Sequence, residues 1–263
     1  MSDTDFAAAL DEALETLAAF AIPLYQLDEN RRPRLHGTSF IVKRGDSHFL
    51  VSAAHVLDDA EAKGLFYYIT PQITRKLSGR LFLWPSRGDR NKDVIDVGVL
   101  RLTRESPPPY PAVKKFAMLP EYLVPSYLPR ALRSYAFIGF PETKSKTSGY
   151  RRTVMAAPYA FRCAPIQDEE YSRLGLDPMS HVALTLDLKE GYDASGNRIA
   201  FPKPQGMSGA PIVVLYNNDG SSDSRVFPVV AVATTYRSRD KVVFGTDVSY
   251  IIDAIERASA DTE

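Results

Sequence analysis

The sequence predicts an all-β protein of two consecutive β-rich units with one helix at each end. Three observations support this. Short runs of valine, isoleucine and aromatic residues recur from Ile22 onward, with turn residues between them. A proline-dense stretch divides these runs into two series. Apolar residues at helical spacing are confined to the two ends of the chain.

At the N-terminus, Phe6, Leu10, Leu14, Leu17 and Ala18 recur at helical spacing, so residues 1–20 are expected to form an amphipathic helix packed on the body. The first β series follows as "GTSFIVKRGDSHFLVSAAHVL", "GLFYYIT", "GRLFLWP" and "VIDVGVLRL", giving a first unit over residues 21–120. The stretch "ESPPPYPAVKKFAMLPEYLVPSYLP" lacks backbone donors at its prolines, so it reads as the connection between units. The second series is "RSYAFIGFP", "RRTVMAAPYAFR", "HVALTLDL", "APIVVLY", "FPVVAVATTY" and "KVVFGTDV", within residues 121–263. In "VSYIIDAIERASA", Ile251, Ile252, Ile255 and Ala258 mark one face of a C-terminal helix. Runs of this kind form barrels or sandwiches.

Composition narrows the function classes. The 263 residues are 44% hydrophobic and 24% charged, with 32 basic residues against 32 acidic ones. A balanced charge offers no broad field for nucleic acid or an anionic membrane, so neither is expected as a partner. Cys163 is the only cysteine, so packing and hydrogen bonds must hold the fold without an intrachain disulfide. That usage and an acidic N-terminus without Lys or Arg suit a cytoplasmic protein. No apolar run approaches the ~18 residues of a membrane-spanning helix. The four histidines and one cysteine are dispersed, with no zinc-type spacing, and no glycine-rich phosphate loop is present; no metal or cofactor is implied.

Chemistry concentrates at "PKPQGMSGAPIVV", which sets Ser208 between Gly206 and Gly209. Alone, this stretch reads equally well as a turn entering a strand. A serine hydroxyl becomes a strong nucleophile only beside a base that a third group orients. "FLVSAAHVL" supplies His55 after an apolar strand, and "VIDVGVLRL" supplies Asp96 at the mouth of another.

"GTSFIV…FLVSAAHVL", "DVGVLRL" and "GMSGAPIV" resemble, in order, the three signature segments of the trypsin-like (chymotrypsin-fold) serine peptidases. "SYAFIGFP", "VAVATTY" and "FGTDVSYIIDAI" resemble later strands and the final helix of bacterial intracellular members. The resemblance implies two six-stranded β-barrels and a catalytic triad of His55, Asp96 and Ser208. Ser208 would attack a carbonyl carbon, His55 would carry the proton, and Asp96 would hold the imidazole tautomer. The backbone N–H groups of Gly206 and Ser208 would form the oxyanion hole, and Gly209 would let a neighbouring strand pass closely. Asp96 is preferred to Asp93 because it directly precedes "VGVL". His36, His48 and His181 lack the small-residue context of His55 and read as surface or satisfied core residues. Cys163 lacks flanking glycines and reads as a buried thiol.

Met207 occupies the position where digestive members carry the aspartate that pairs with a new N-terminal amine. A thioether cannot hold an ammonium, so that activation route is excluded, and Met207 is expected to pack beneath the loop. The enzyme is then either permanently competent or controlled by a regulatory protein partner. The resemblance further places Gln205 at the entrance of the primary specificity pocket, and Ala233, Thr234 and Thr235 on the strand that pairs with substrate backbone. The pocket floor is expected within "AFPKP". An edge strand suits a protein or peptide substrate. The alternatives are an inactive peptide-binding pseudoprotease and an esterase on the same triad.

Overall fold

The structure is a computed structural model that describes residues 12–13, 16, 20–58, 60, 64–70, 73–83, 94–103, 118–126, 133–148, 153–189, 191–192, 198–217 and 227–260. Most of the expected N-terminal helix lies outside these residues, as do Asp93 and most of the 105–129 connection.

The first unit contains β1 (Ala21–Leu27), β2 (Pro33–Arg44), β3 (Ser47–Ala53), the single-turn helix α1 (Ala54–Leu57), β4 (Phe66–Thr70), β5 (Ile73–Lys76), β6 (Gly79–Leu83) and β7 (Val97–Leu102). These strands form one sheet in the order β5-β4-β1-β2-β3-β7-β6. It is a curled, open sheet of seven strands where a six-stranded barrel was expected. Tyr25↔Phe66 is the one register pair recorded between β1 and β4, so the β4–β5 hairpin branches from the sheet instead of turning back to meet β6.

The second unit contains β8 (Arg133–Gly139), β9 (Ser145–Ser148), β10 (Thr153–Ala156), β11 (Tyr159–Pro165), α2 (Asp168–Leu174), β12 (His181–Thr185), β13 (Gly191–Tyr192), β14 (Arg198–Ile199), β15 (Pro211–Asn217), β16 (Val229–Arg237), β17 (Val242–Asp247) and α3 (Ser249–Ala260). Six of its strands close into a barrel, β11-β12-β17-β16-β15-β8. Helix α2 was not anticipated. Its sequence signals are a first turn of Asp168, Glu169 and Glu170, which suits the positive end of the helix dipole, and Gly175 as a left-handed stop at φ 68°.

Several strands are apolar without alternation because both their faces are covered. In β3, Phe49 and Val51 join a core shared with the barrel and α3, whereas Leu50 and Ala53 face the first unit's own core. In β15, Val213 and Leu215 enter that shared core, and Ile212 and Val214 fill the barrel. Packing between the units thus comes from the same strands that carry the site. Two isolated bridges, Val42↔Met118 and Leu123↔Val229, tie the connection to both sheets.

Helix α3 buries Ile251, Ala254, Ile255 and Ala258. Ala254 takes the place expected for Ile252, which is only partly buried, because the i, i+3, i+4, i+7 set falls on the smaller residue. Arg101 on β7 donates to Ala258 O at 3.1 Å, satisfying a carbonyl at the helix end. Ile255→Ala is expected to destabilise the protein by about 2–5 kcal/mol, measured by urea unfolding, because it empties space between two sheets and a helix.

Candidate active site

His55 sits in α1, immediately after the last residue of β3. Asp96 sits just before β7, and β3 and β7 pair through Ala53↔Val97, so the two side chains start from adjacent strand ends. Three contacts join the start of α1 to Asp96, two of them made by His55. Ala54 N–H donates to Asp96 O at 2.9 Å, His55 N–H donates to Asp96 Oδ1 at 2.9 Å, and His55 Nδ1 lies 2.6 Å from Asp96 Oδ2. Asp96 therefore caps the start of α1 as well as holding the ring. Its φ of 39° is left-handed, a conformation that aspartate tolerates better than most residues.

Facing an ionised carboxylate, which only accepts hydrogen bonds, Nδ1 is the donor of this contact. In a neutral imidazole Nε2 then keeps its lone pair, the form required of a general base. The imidazole is half exposed, and the Asp96 side chain is 20% exposed.

The second unit holds the approach to Asp96. His181, fully buried on β12, meets Val94 O through Nε2 at 2.8 Å, and Thr246 Oγ1 donates to Ile95 O. His181 is thus a core histidine, as expected, yet it also braces the segment that delivers the carboxylate. His36 and His48 are half-buried on β2 and β3. Cys163 is buried inside the barrel, and burial pushes its thiol pKa up, away from thiolate chemistry.

Ser208 lies in the second of two successive turns, which are closed by Met207 N–H to Pro204 O and Ala210 N–H to Met207 O, each at 3.0 Å. Gly206 and Gly209 both have positive φ, 86° and 91°. A Cβ on Gly209 would collide with Thr38 O of β2 and with Ser52 of β3, so its glycine does admit neighbouring strands. Met207 is buried in the barrel core beneath the loop.

Two of the loop's carbonyls are tied to neighbouring segments. Glu142 N–H donates to Gln205 O at 2.7 Å, and Thr38 Oγ1 donates to Gly206 O at 2.9 Å. In a trans peptide the N–H points opposite the preceding C=O, so the Gly206 N–H faces away from Glu142. Among the described residues neither the Gly206 nor the Ser208 N–H has a recorded acceptor. This pair is suited to receive an anion.

The sequence gives no sign that Thr38 organises this region. It is fully buried; its N–H donates to Ser208 O at 2.8 Å, its Oγ1 also accepts from Phe140 N–H at 3.1 Å, and its carbonyl accepts from Ser52 Oγ at 2.7 Å. Gly37 lies between α1 and the Ser208 turn, since a Cβ there would press on Val56 at 2.6 Å and on Ser208 O at 3.3 Å. His55 and Asp96 are joined directly, while the Ser208 hydroxyl donates to Thr234 O at 3.3 Å and has no recorded hydrogen bond to His55. Ala233 and Thr234 are buried on β16, Thr235 is exposed, and Gln205 is exposed beside the turn.

No family model matches the sequence, and neither does any curated protein. Solved structures do match. The chain is similar to neuropsin, a serine protease expressed in the limbic system of mouse brain, with a TM-score of 0.55 and 13% identity over 92% of this chain and 94% of that one. The fold is chymotrypsin-like. An inactive serine-to-alanine mutant of Rv3671c from M. tuberculosis H37Rv also aligns, with a TM-score of 0.49 and 13% identity, covering 97% of this chain and 93% of that one. In chymotrypsin-like terms, the described half-barrel carries His55 and Asp96 and the closed barrel carries Ser208.

Two outcomes are expected. Thr38→Val keeps the shape but leaves Gly206 O and Phe140 N–H unpaired, a loss of about 1–3 kcal/mol in urea unfolding, most of which Thr38→Ser recovers. Thiol alkylation of the native protein at neutral pH leaves Cys163 unmodified by mass spectrometry, and denaturant exposes it.

Proposed function

We propose that the chain is a serine endopeptidase that hydrolyses peptide bonds through Ser208, His55 and Asp96. The observation that supports this best is the 2.6 Å contact of His55 Nδ1 with Asp96 Oδ2, which leaves a basic nitrogen at a half-exposed ring near the Ser208 turn.

The Ser208 hydroxyl rotates from Thr234 O toward His55 Nε2, which takes its proton as Oγ bonds to the acyl carbon. The carbonyl oxygen becomes an oxyanion that accepts from the N–H groups of Gly206 and Ser208. His55 Nε2–H then protonates the leaving amine as the C–N bond breaks, leaving an acyl-enzyme. Water, deprotonated by the same nitrogen, releases the acid and restores the hydroxyl. Asp96 remains ionised throughout and stabilises the imidazolium.

A peptide suits the surface better than a small ester. Pairing of β15 with β16 runs over Val229–Val232, and the turn continues it to Ala233; beyond that, the β16 edge has no β15 partner among the described residues. An extended chain can add there as a strand, with Thr234 and Thr235 offering main-chain groups and Gln205 at the rim. A second reading, a peptide-binding protein without turnover, is favoured by one observation: the Ser208 hydroxyl rests on Thr234 O. A regulatory protein that reorients this turn would act on the same rotation.

A fluorophosphonate probe is expected to label the wild type and not Ser208→Ala, while His55→Ala labels far more slowly. Labelling that survives Ser208→Ala removes the nucleophile. Cleavage of an unstructured protein is expected to fall by about four to six orders of magnitude in either variant. Folded wild type that neither labels nor cleaves favours the binding reading.

A further inference from the structure

The cavity beside Ser208 sets which peptide bond is cut. The geometry points to a substrate with a small uncharged residue, alanine above all, on the acyl side of the scissile bond; this rests on the serine endopeptidase reading above. The side chain on that residue begins two covalent bonds, about 2.5 Å, from the carbon that Ser208 Oγ must reach. It therefore enters whatever space adjoins Ser208. That space has a volume of about 20 Å³; beside Ser208, its lining includes apolar groups of Phe137, Met207, Ala233 and Val243, with Tyr236 and the hydroxyl-bearing Thr234 and Thr235.

One water-sized group needs about 10–15 Å³ measured in this way, so the cavity takes a methyl group and little more. Much of its lining belongs to the barrel, while Tyr236 is half-buried and Thr235 is exposed. Phe137 is fully buried and stacks on Phe161 with ring centroids 4.8 Å apart. Met207 and Ala233 are buried in the barrel core. Tyr236 and Val243 face one another as a cross-strand pair of β16 and β17, narrowing the cavity from the strand side. Enlarging the space would require displacing barrel residues.

Charge adds a second filter. Among the described residues no Asp, Glu, Lys or Arg lines the cavity, so an arginine or lysine side chain would lose water without gaining a counter-charge from them. A phenylalanine ring is excluded by volume. Of the run "AFPKP", in which the floor is expected, Pro204 lines the cavity together with Phe137 and Val243.

The test uses the full chain, first titrated with a fluorophosphonate so that the concentration of reactive Ser208 is known. A series of fluorogenic peptides identical except for an acyl-side Gly, Ala, Val, Phe, Arg or Asp is then compared by kcat/KM. Alanine is expected to exceed phenylalanine, arginine and aspartate by at least about 100-fold. Equal or faster hydrolysis of the phenylalanine or arginine peptide overturns this inference while leaving the labelled serine in place. Labelling without cleavage of any member also overturns it, and absence of labelling overturns the endopeptidase reading with it. Val243→Ala and Tyr236→Ala, each normalised by the same titration, are expected to raise valine over alanine by about 10-fold; an unchanged profile in titratable variants rejects these two residues as the walls.

Discussion

The site depends on Thr38. One fully buried residue of β2 uses its N–H, hydroxyl and carbonyl on Ser208 O, Gly206 O and Ser52 Oγ, with Phe140 N–H completing the hydroxyl's bonds. In water-free surroundings each of these groups would be expensive to leave unpaired, so the turn carrying Ser208 can settle in few ways other than the observed one. The Gln205 carbonyl tied to Glu142 N–H turns the Gly206 N–H the other way, the Met207 carbonyl tied to Ala210 N–H does the same for Ser208, and among the described residues neither N–H has an acceptor. On the proposed reading these two donors receive the oxyanion, and the tied carbonyls are what orients them.

The two units divide the remaining work. The curled sheet presents His55 and Asp96 at the paired ends of β3 and β7, and the barrel supplies the Ser208 turn at the start of β15. The barrel also reaches across, through His181 and Thr246, to carbonyls just before Asp96. A core made of both sheets and α3 fixes their separation, so packing and site geometry are not independent. Asp96 illustrates this economy: its carboxylate caps α1, sets the imidazole tautomer and sits on a left-handed backbone position.

Much of this was legible in the sequence where local chemistry is decisive. Strands with both faces covered appear as unbroken apolar runs, and α3 shows helical spacing, although Ala254 rather than Ile252 takes the buried position. The glycines around Ser208 are demanded by positive φ and by close strands, which a motif can convey. The pairing of His55 with Asp96 follows from two strand ends that happen to be neighbours. Long-range closure was not legible. The open first sheet, the role of Thr38, the bracing by His181 and the place of Phe137 in the cavity lining all depend on which strands meet, and no window of residues encodes that alone. Helix α2 is a different case, since its acidic first turn and Gly175 are local signals.

The central claim is that a developing negative charge beside Ser208 is received by two main-chain N–H groups. A crystal structure of the protein inhibited by a fluorophosphonate tests it most directly. The account predicts phosphorus bonded to Ser208 Oγ, with one phosphoryl oxygen about 2.7–3.1 Å from the nitrogens of both Gly206 and Ser208. An adduct on another residue, or a phosphoryl oxygen turned away from both nitrogens, would contradict it.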